Sequence, residues 1–181
     1  MRLFIAVNFD DEIKNRLLSI QSNIIKQSLK GNYSKAENLH LTLVFLGETP
    51  SEQVSLICSV MGKICQPYHP FNLDFNHTGF FKHSNKELWW MGSDNTASGF
   101  QHVKKLHQNL SDGLYEAGIN FDKRPFRPHI TLGREIKRSQ PINLAKENIN
   151  IPINRISLMQ SERVKSLLVY TEIGYSVCTG K

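Results

Sequence analysis

Three cysteines are all that this sequence has, an odd number that leaves no disulfide framework to staple a secreted fold. Cys58 and Cys65 fall on one face of a helical pattern and read as small apolar core residues. Cysteine pairs at CxxC spacing and histidine pairs at HxxxH spacing are both missing, so no metal cofactor is expected. Nothing approaches the roughly 18 apolar residues of a membrane span. The apolar stretch Leu3–Val7 is too short for a secretion signal and lacks a small-residue cleavage site. These absences point to a soluble, cytoplasmic protein with no membrane partner. Acidic residues are also scarce. Their 16 are outnumbered by 22 lysines and arginines, leaving a formal charge of +6. A basic excess suits a polyanionic partner through attraction and counterion release, although many basic proteins have none. Hydrophobic residues at 40% and charged residues at 21% exclude a disordered chain.

Apolar periodicity predicts a strand over 2–7 and a helix over 10–29, with Asp10 as N-cap. A strand over 39–46 and a helix over 51–65 follow. Strands are expected at 71–81 and 88–92, a helix at 98–117, a strand at 129–133, and further strands near 155–159 and 167–175. No long linker or low-complexity segment interrupts this order. Residues 1–181 therefore read as a single unit.

An internal repeat organises the chain. His40-Leu41-Thr42-Leu43 and His129-Ile130-Thr131-Leu132 lie 89 positions apart. The same shift carries Asp10, at the start of the first long helix, to Gly99 at the start of another. The expected fold is α+β, a bilobal pseudo-two-fold repeat with halves of roughly 1–87 and 88–181. Each lobe is a small, mostly antiparallel sheet with helices on its outer face, and the two H-x-T strands face a central cleft.

Alternation along a strand turns His40 and Thr42 to one face and Leu41 and Leu43 to the other, and the second motif does the same. Two imidazoles and two hydroxyls then meet in one cleft. That set suits displacement at phosphorus: one imidazole takes a proton from water and the other gives one to the leaving oxygen. The hydroxyls of Thr42 and Thr131 can donate to the nonbridging oxygens. Chance alone gives about 0.3 H-x-T triplets in a chain of this composition. Two at equivalent places in a repeat outweigh the bland reading of strand-capping histidines.

The stretches Met1-Arg-Leu-Phe-Ile-Ala-Val7, Glu37-Asn-Leu-His-Leu-Thr-Leu-Val-Phe-Leu-Gly-Glu48 and Arg124-Pro-Phe-Arg-Pro-His-Ile-Thr-Leu-Gly-Arg134, with Leu158–Glu162 and Tyr170, cover nearly the whole chain. They resemble the bacterial and archaeal RNA 2',3'-cyclic phosphodiesterases, also called 2'-5' RNA ligases, of the two-histidine phosphoesterase superfamily. The resemblance implies metal-independent hydrolysis of a terminal 2',3'-cyclic phosphate to a 2'-phosphate, with His40 as proton donor and His129 as base. It implies RNA ends as partners, tRNA fragments among them, and a monomer. On the residues alone the two roles are exchangeable.

Phe45 and Arg134 each lie five positions beyond a motif histidine, and together they can sandwich a terminal base. In a regular strand the odd offset sends Phe45 to the face opposite His40. It then belongs to the core unless a bulge intervenes. Arg134 is expected at phosphate or base. Arg127, with Lys123, Arg124, Lys137 and Arg138, forms a local basic cluster for the RNA backbone, which is equally a solvated face. His69, His77, His83, His102 and His107 carry no motif and are expected in surface or structural roles. Rival functions are a phosphodiesterase acting on another small cyclic nucleotide or a 2'-5' oligonucleotide, and a non-catalytic module binding RNA ends.

Overall fold

A computed structural model describes residues 1–181 except the side chain of His83. In chain order the elements are β1 (Arg2–Asn8), α1 (Asp11–Lys26), β2 (Lys30–Tyr33), β3 (His40–Glu48), α2 (Val54–Cys65), β4 (Phe71–Phe75), β5 (His77–His83) and β6 (Lys86–Gly92). Then come α3 (Phe100–Glu116), β7 (His129–Lys137), β8 (Ile149–Ile153), β9 (Arg155–Val164) and β10 (Leu167–Val177). The fold is α+β, as the sequence predicts. One antiparallel sheet runs β10-β9-β1-β3, a second runs β2-β7-β6-β5, and β4 pairs with β8.

Each large sheet takes strands from both halves of the chain. Helix α1 packs on β2, β7 and β8, whereas α2 and α3 cover β9, β10 and β3. Each helix stripe therefore closes on a sheet that includes strands of the other half, which is why one continuous core joins Leu17, Leu41, Leu106 and Ile130. Strand β1 is buried on both faces. Leu3, Ile5 and Val7 enter this core, while Phe4 and Ala6 pack with Met159 and Tyr170 on the cleft side. Two strands escape the sequence reading, and one predicted strand is divided. The 30–33 segment forms β2 on the edge of the second sheet, 71–81 divides into β4 and β5, and 149–153 forms β8. Among the described residues no helix is long and apolar enough to cross a membrane.

Helix α1 starts where the sequence places it, because the Asp10 side chain accepts a hydrogen bond from the Ile13 N–H at 2.9 Å. Replacing this cap in Asp10→Ala is expected to cost about 1 kcal/mol in urea unfolding. No measurable loss would show that packing alone sets the start of α1.

Candidate active site

Strands β3 and β7 meet across the cleft, one from each large sheet. The register of β3 against β1 pairs His40 with Asn8 and Thr42 with Ala6, then Val44 with Ile5, leaving Leu43 unmatched. The register of β7 against β6 pairs His129 with Gly92 and Thr131 with Trp90, then Gly133 with Trp89, leaving Leu132 unmatched. Both strands therefore bulge at the third residue after the histidine. A bulge reverses the alternation beyond it. Phe45 consequently shares the cleft face with His40 and is 46% exposed there, not core, and Arg134 shares the face of His129 and Thr131. Both line a cleft of about 1000 Å³, which also includes Thr42 and Arg127.

A helix side chain braces each bulge. His107 on α3 donates from Nδ1 to the Leu43 carbonyl at 2.9 Å, while its ring stacks on Phe126 at 4.2 Å. Gln21, buried on α1, donates to the Leu132 carbonyl at 2.7 Å and to that of Ser34 at 2.8 Å. The two braced carbonyls match under the 89-position shift of the repeat, although the braces themselves differ in type and in their place along the helix.

The histidines are anchored alike. His40 Nδ1 bonds the Asn38 carbonyl at 2.8 Å, and His129 Nδ1 bonds the Arg127 carbonyl at 2.7 Å. A carbonyl can only accept, so Nδ1 carries the proton and Nε2 of the neutral ring is left unprotonated. His40 Nε2 meets the Thr42 hydroxyl at 2.9 Å. Two half-buried imidazoles, each locked in the same tautomer by the carbonyl two residues earlier, therefore face one cleft.

Comparison with known proteins shows the family. The profile of the 2'-5' RNA ligase superfamily matches residues 9–165. The chain belongs to that superfamily. It is 28% identical over 178 residues to an RNA 2',3'-cyclic phosphodiesterase of Thermotoga maritima, covering 98% of this chain and 92% of that protein. A protein of the same name from Archaeoglobus fulgidus is 30% identical over 143 residues, 78% of this chain and 76% of its own. The crystal structure of TT0787 of Thermus thermophilus shares the fold, with a TM-score of 0.84 at 25% identity over 98% of both chains.

In a cleft that holds two imidazoles, the proton balance of the pair decides what it can do. Burial is the main force here. It pushes His40 from 6.5 down to about 4, with the charges of Arg134 and His129 adding to the shift and the Asn38 carbonyl opposing it. His129 is lowered by burial and by Arg134, against the Arg127 carbonyl. The cleft thus holds two neutral bases beside a guanidinium. An entering anion favours both imidazolium forms.

The basic cluster of the sequence is divided. Arg138 pairs with Glu87 at 2.9 Å and lies over Phe80 and Trp89, on the face of the second sheet opposite His129. Arg124 pairs with Asp122, and Lys123 lies over the Tyr115 ring. Arg127 and Arg134 are exposed and make no ion pair among the described residues. The sequence reading missed the aromatic wall around His40. Phe4 and Tyr170 lie 4.9 and 5.2 Å from its ring, and Asn38 ties this wall down by donating from Nδ2 to the Leu168 carbonyl. Phe4 and Tyr170 both fall among the residues that carry the family resemblance, and Phe4 alternates with core positions in β1, but neither signal put them beside His40. Among the described residues no group of three or more His, Cys, Asp or Glu is placed to hold a metal.

Two measurements test this geometry. His107→Leu and Gln21→Leu each strand a buried carbonyl, so each is expected to cost about 1–3 kcal/mol in chemical denaturation. Losses below about 0.5 kcal/mol in both would show that the bulges need no brace. By NMR, His40 is expected to titrate near 4, and His129 below 6.5. Arg134→Gln removes a repelling cation and should raise both midpoints. A His40 midpoint at or above 6.5 would contradict the burial described here.

Proposed function

We propose that this chain hydrolyses the 2',3'-cyclic phosphate at the end of an RNA to a 2'-phosphate, using His40 and His129 as an acid–base pair. The matched tautomer lock carries the reading, because it leaves two unprotonated Nε2 atoms in one cleft. The names of the related proteins supply the substrate class.

In the proposed reaction the cyclic phosphate lies between the two imidazoles. His129 Nε2 takes a proton from water as the water oxygen bonds to phosphorus. The bond from phosphorus to the 3'-oxygen breaks, and His40 Nε2 gives that oxygen a proton. The negative phosphodiester helps to load His40 with this proton, offsetting the burial that holds the imidazole neutral. As His40 charges, the Thr42 hydroxyl turns from Nε2 to a nonbridging oxygen, and Thr131 serves the opposite side. Arg134 neutralises the charge that builds in the transition state. Phe45 and Arg134 flank the terminal base, and Arg127 meets the backbone phosphate.

These groups supply the stabilisation that a metal would otherwise give, so the reaction is expected to need none. Residues 1–181 act as one bilobal phosphoesterase unit. The two histidines come from the two repeats of a single chain, so a monomer in the cytoplasm suffices, with tRNA fragments among its RNA partners. With a ribose 5'-hydroxyl in place of water as the attacking group, and the 3'-oxygen again leaving, the same site forms a 2'-5' bond. Water at its ordinary concentration favours hydrolysis.

The test is an RNA ending in a 2',3'-cyclic phosphate, incubated with protein in EDTA. A 2'-phosphate product is expected, with turnover lowered about 10²–10⁴-fold in His40→Ala and in His129→Ala. A wild type with no turnover, a 3'-phosphate product, or full activity in either variant would sink the reading.

A further inference from the structure

The sheet face that carries His129 continues past it. The pairing registers put Gly92 and His77 in line with His129, and Trp90 and Gly79 in line with Thr131. The Trp90 indole lies against both glycines. A Cβ on Gly79 would come within 2.6 Å of the ring, and one on Gly92 within 2.5 Å, so no side chain fits at either place. The half-buried ring has its Nε1 covered and without an acceptor among the described residues. Indole N–H groups usually find a partner when buried, so this ring is seated by shape rather than by a hydrogen bond. His77 and Phe81 flank it, each with its ring centre 5.2 Å from that of Trp90. Phe81 in turn stands edge-on to His129 at 5.7 Å. An aromatic strip therefore runs from the His129 imidazole across β6 to the edge strand β5.

We propose that Trp90, Phe81 and His77 form a stacking subsite for the bases of single-stranded RNA on the 5' side of the terminal cyclic phosphate. The inference rests on the function proposed above, since the phosphate between the imidazoles fixes where the rest of the chain must leave. Continuity with the cleft makes RNA the occupant. The strip begins at His129, and the exposed Arg127, whose charge suits a backbone phosphate, lines the same cleft as Phe81. Stacking on aromatic rings accepts any base, as a site for varied RNA ends requires. The far end is closed to phosphate, because the Asp94 carboxylate lies 3.8 Å from His77 Nδ1 and is held ionised by Thr96 and Asn76. The subsite is therefore short, and RNA beyond it turns away from the sheet.

The discriminating experiment compares a mononucleoside 2',3'-cyclic phosphate with an RNA trinucleotide ending in the same group, in wild type and Trp90→Leu. The ratio of kcat/KM for trinucleotide over mononucleotide is expected to fall about fivefold to a hundredfold in the variant. Using the ratio cancels any loss of folded protein. In parallel, a trinucleotide ending in a 2'-phosphate should quench the tryptophan fluorescence of the wild type but not of Trp90→Leu. An unchanged ratio together with quenching that survives the substitution overturns the subsite. Quenching lost in Trp90→Leu, with a wild type that turns over neither substrate, keeps the subsite and removes the proposed reaction.

Discussion

The carbonyls of Leu43 and Leu132, each three residues beyond a motif histidine, are held by side chains from the helices α3 and α1. Those two hydrogen bonds sit at the point where each histidine strand carries one residue more than its partner pairs. Without the extra residue, strict alternation would keep His and Thr in the cleft but send Phe45 and Arg134 into the apolar core. A buried, unpaired guanidinium there would be costly. Two bulges instead gather imidazole, hydroxyl, aromatic ring and cation on one surface. The opposite surface still delivers Leu41, Leu46, Ile130 and Ile136 to the core.

The same packing sets the electrostatics. Phe4 and Tyr170 around His40, and Phe81 beside His129, remove water from rings whose Nδ1 is already committed to a carbonyl. Desolvation keeps both imidazoles neutral, and Arg134 reinforces this by its charge. A site so prepared is underprotonated until an anion arrives. In the proposed reaction, substrate binding and loading of the acid are then one event. This links the burial that stabilises the fold to the selectivity of the cleft for phosphate esters.

Much of this was legible in the sequence. The repeated H-x-T-L pattern, the three amphipathic helices and the double-faced apolar run of β1 follow from periodicity alone. The bulges were only a condition attached to Phe45, because a one-residue insertion leaves no mark in a pattern of alternating types. It needs the partner strand to reveal it. Strands β2 and β8 were missed for a related reason. The first is four residues of weak strand propensity, Lys30–Tyr33, and the second, Ile149–Ile153, contains Pro152. Both are fixed by their neighbours in space. His107, read as structural for want of a motif, is structural, yet what it holds is the strand segment that turns Phe45 into the cleft.

The most direct test of the account is the pH dependence of kcat/KM for a 2',3'-cyclic phosphate RNA in EDTA, since that profile reports the free enzyme's two essential groups. The account predicts a bell with its optimum below 6.5, because both imidazoles are depressed in the empty cleft. A rate that climbs steadily into alkaline pH, or that returns only when a divalent ion is added, would contradict it.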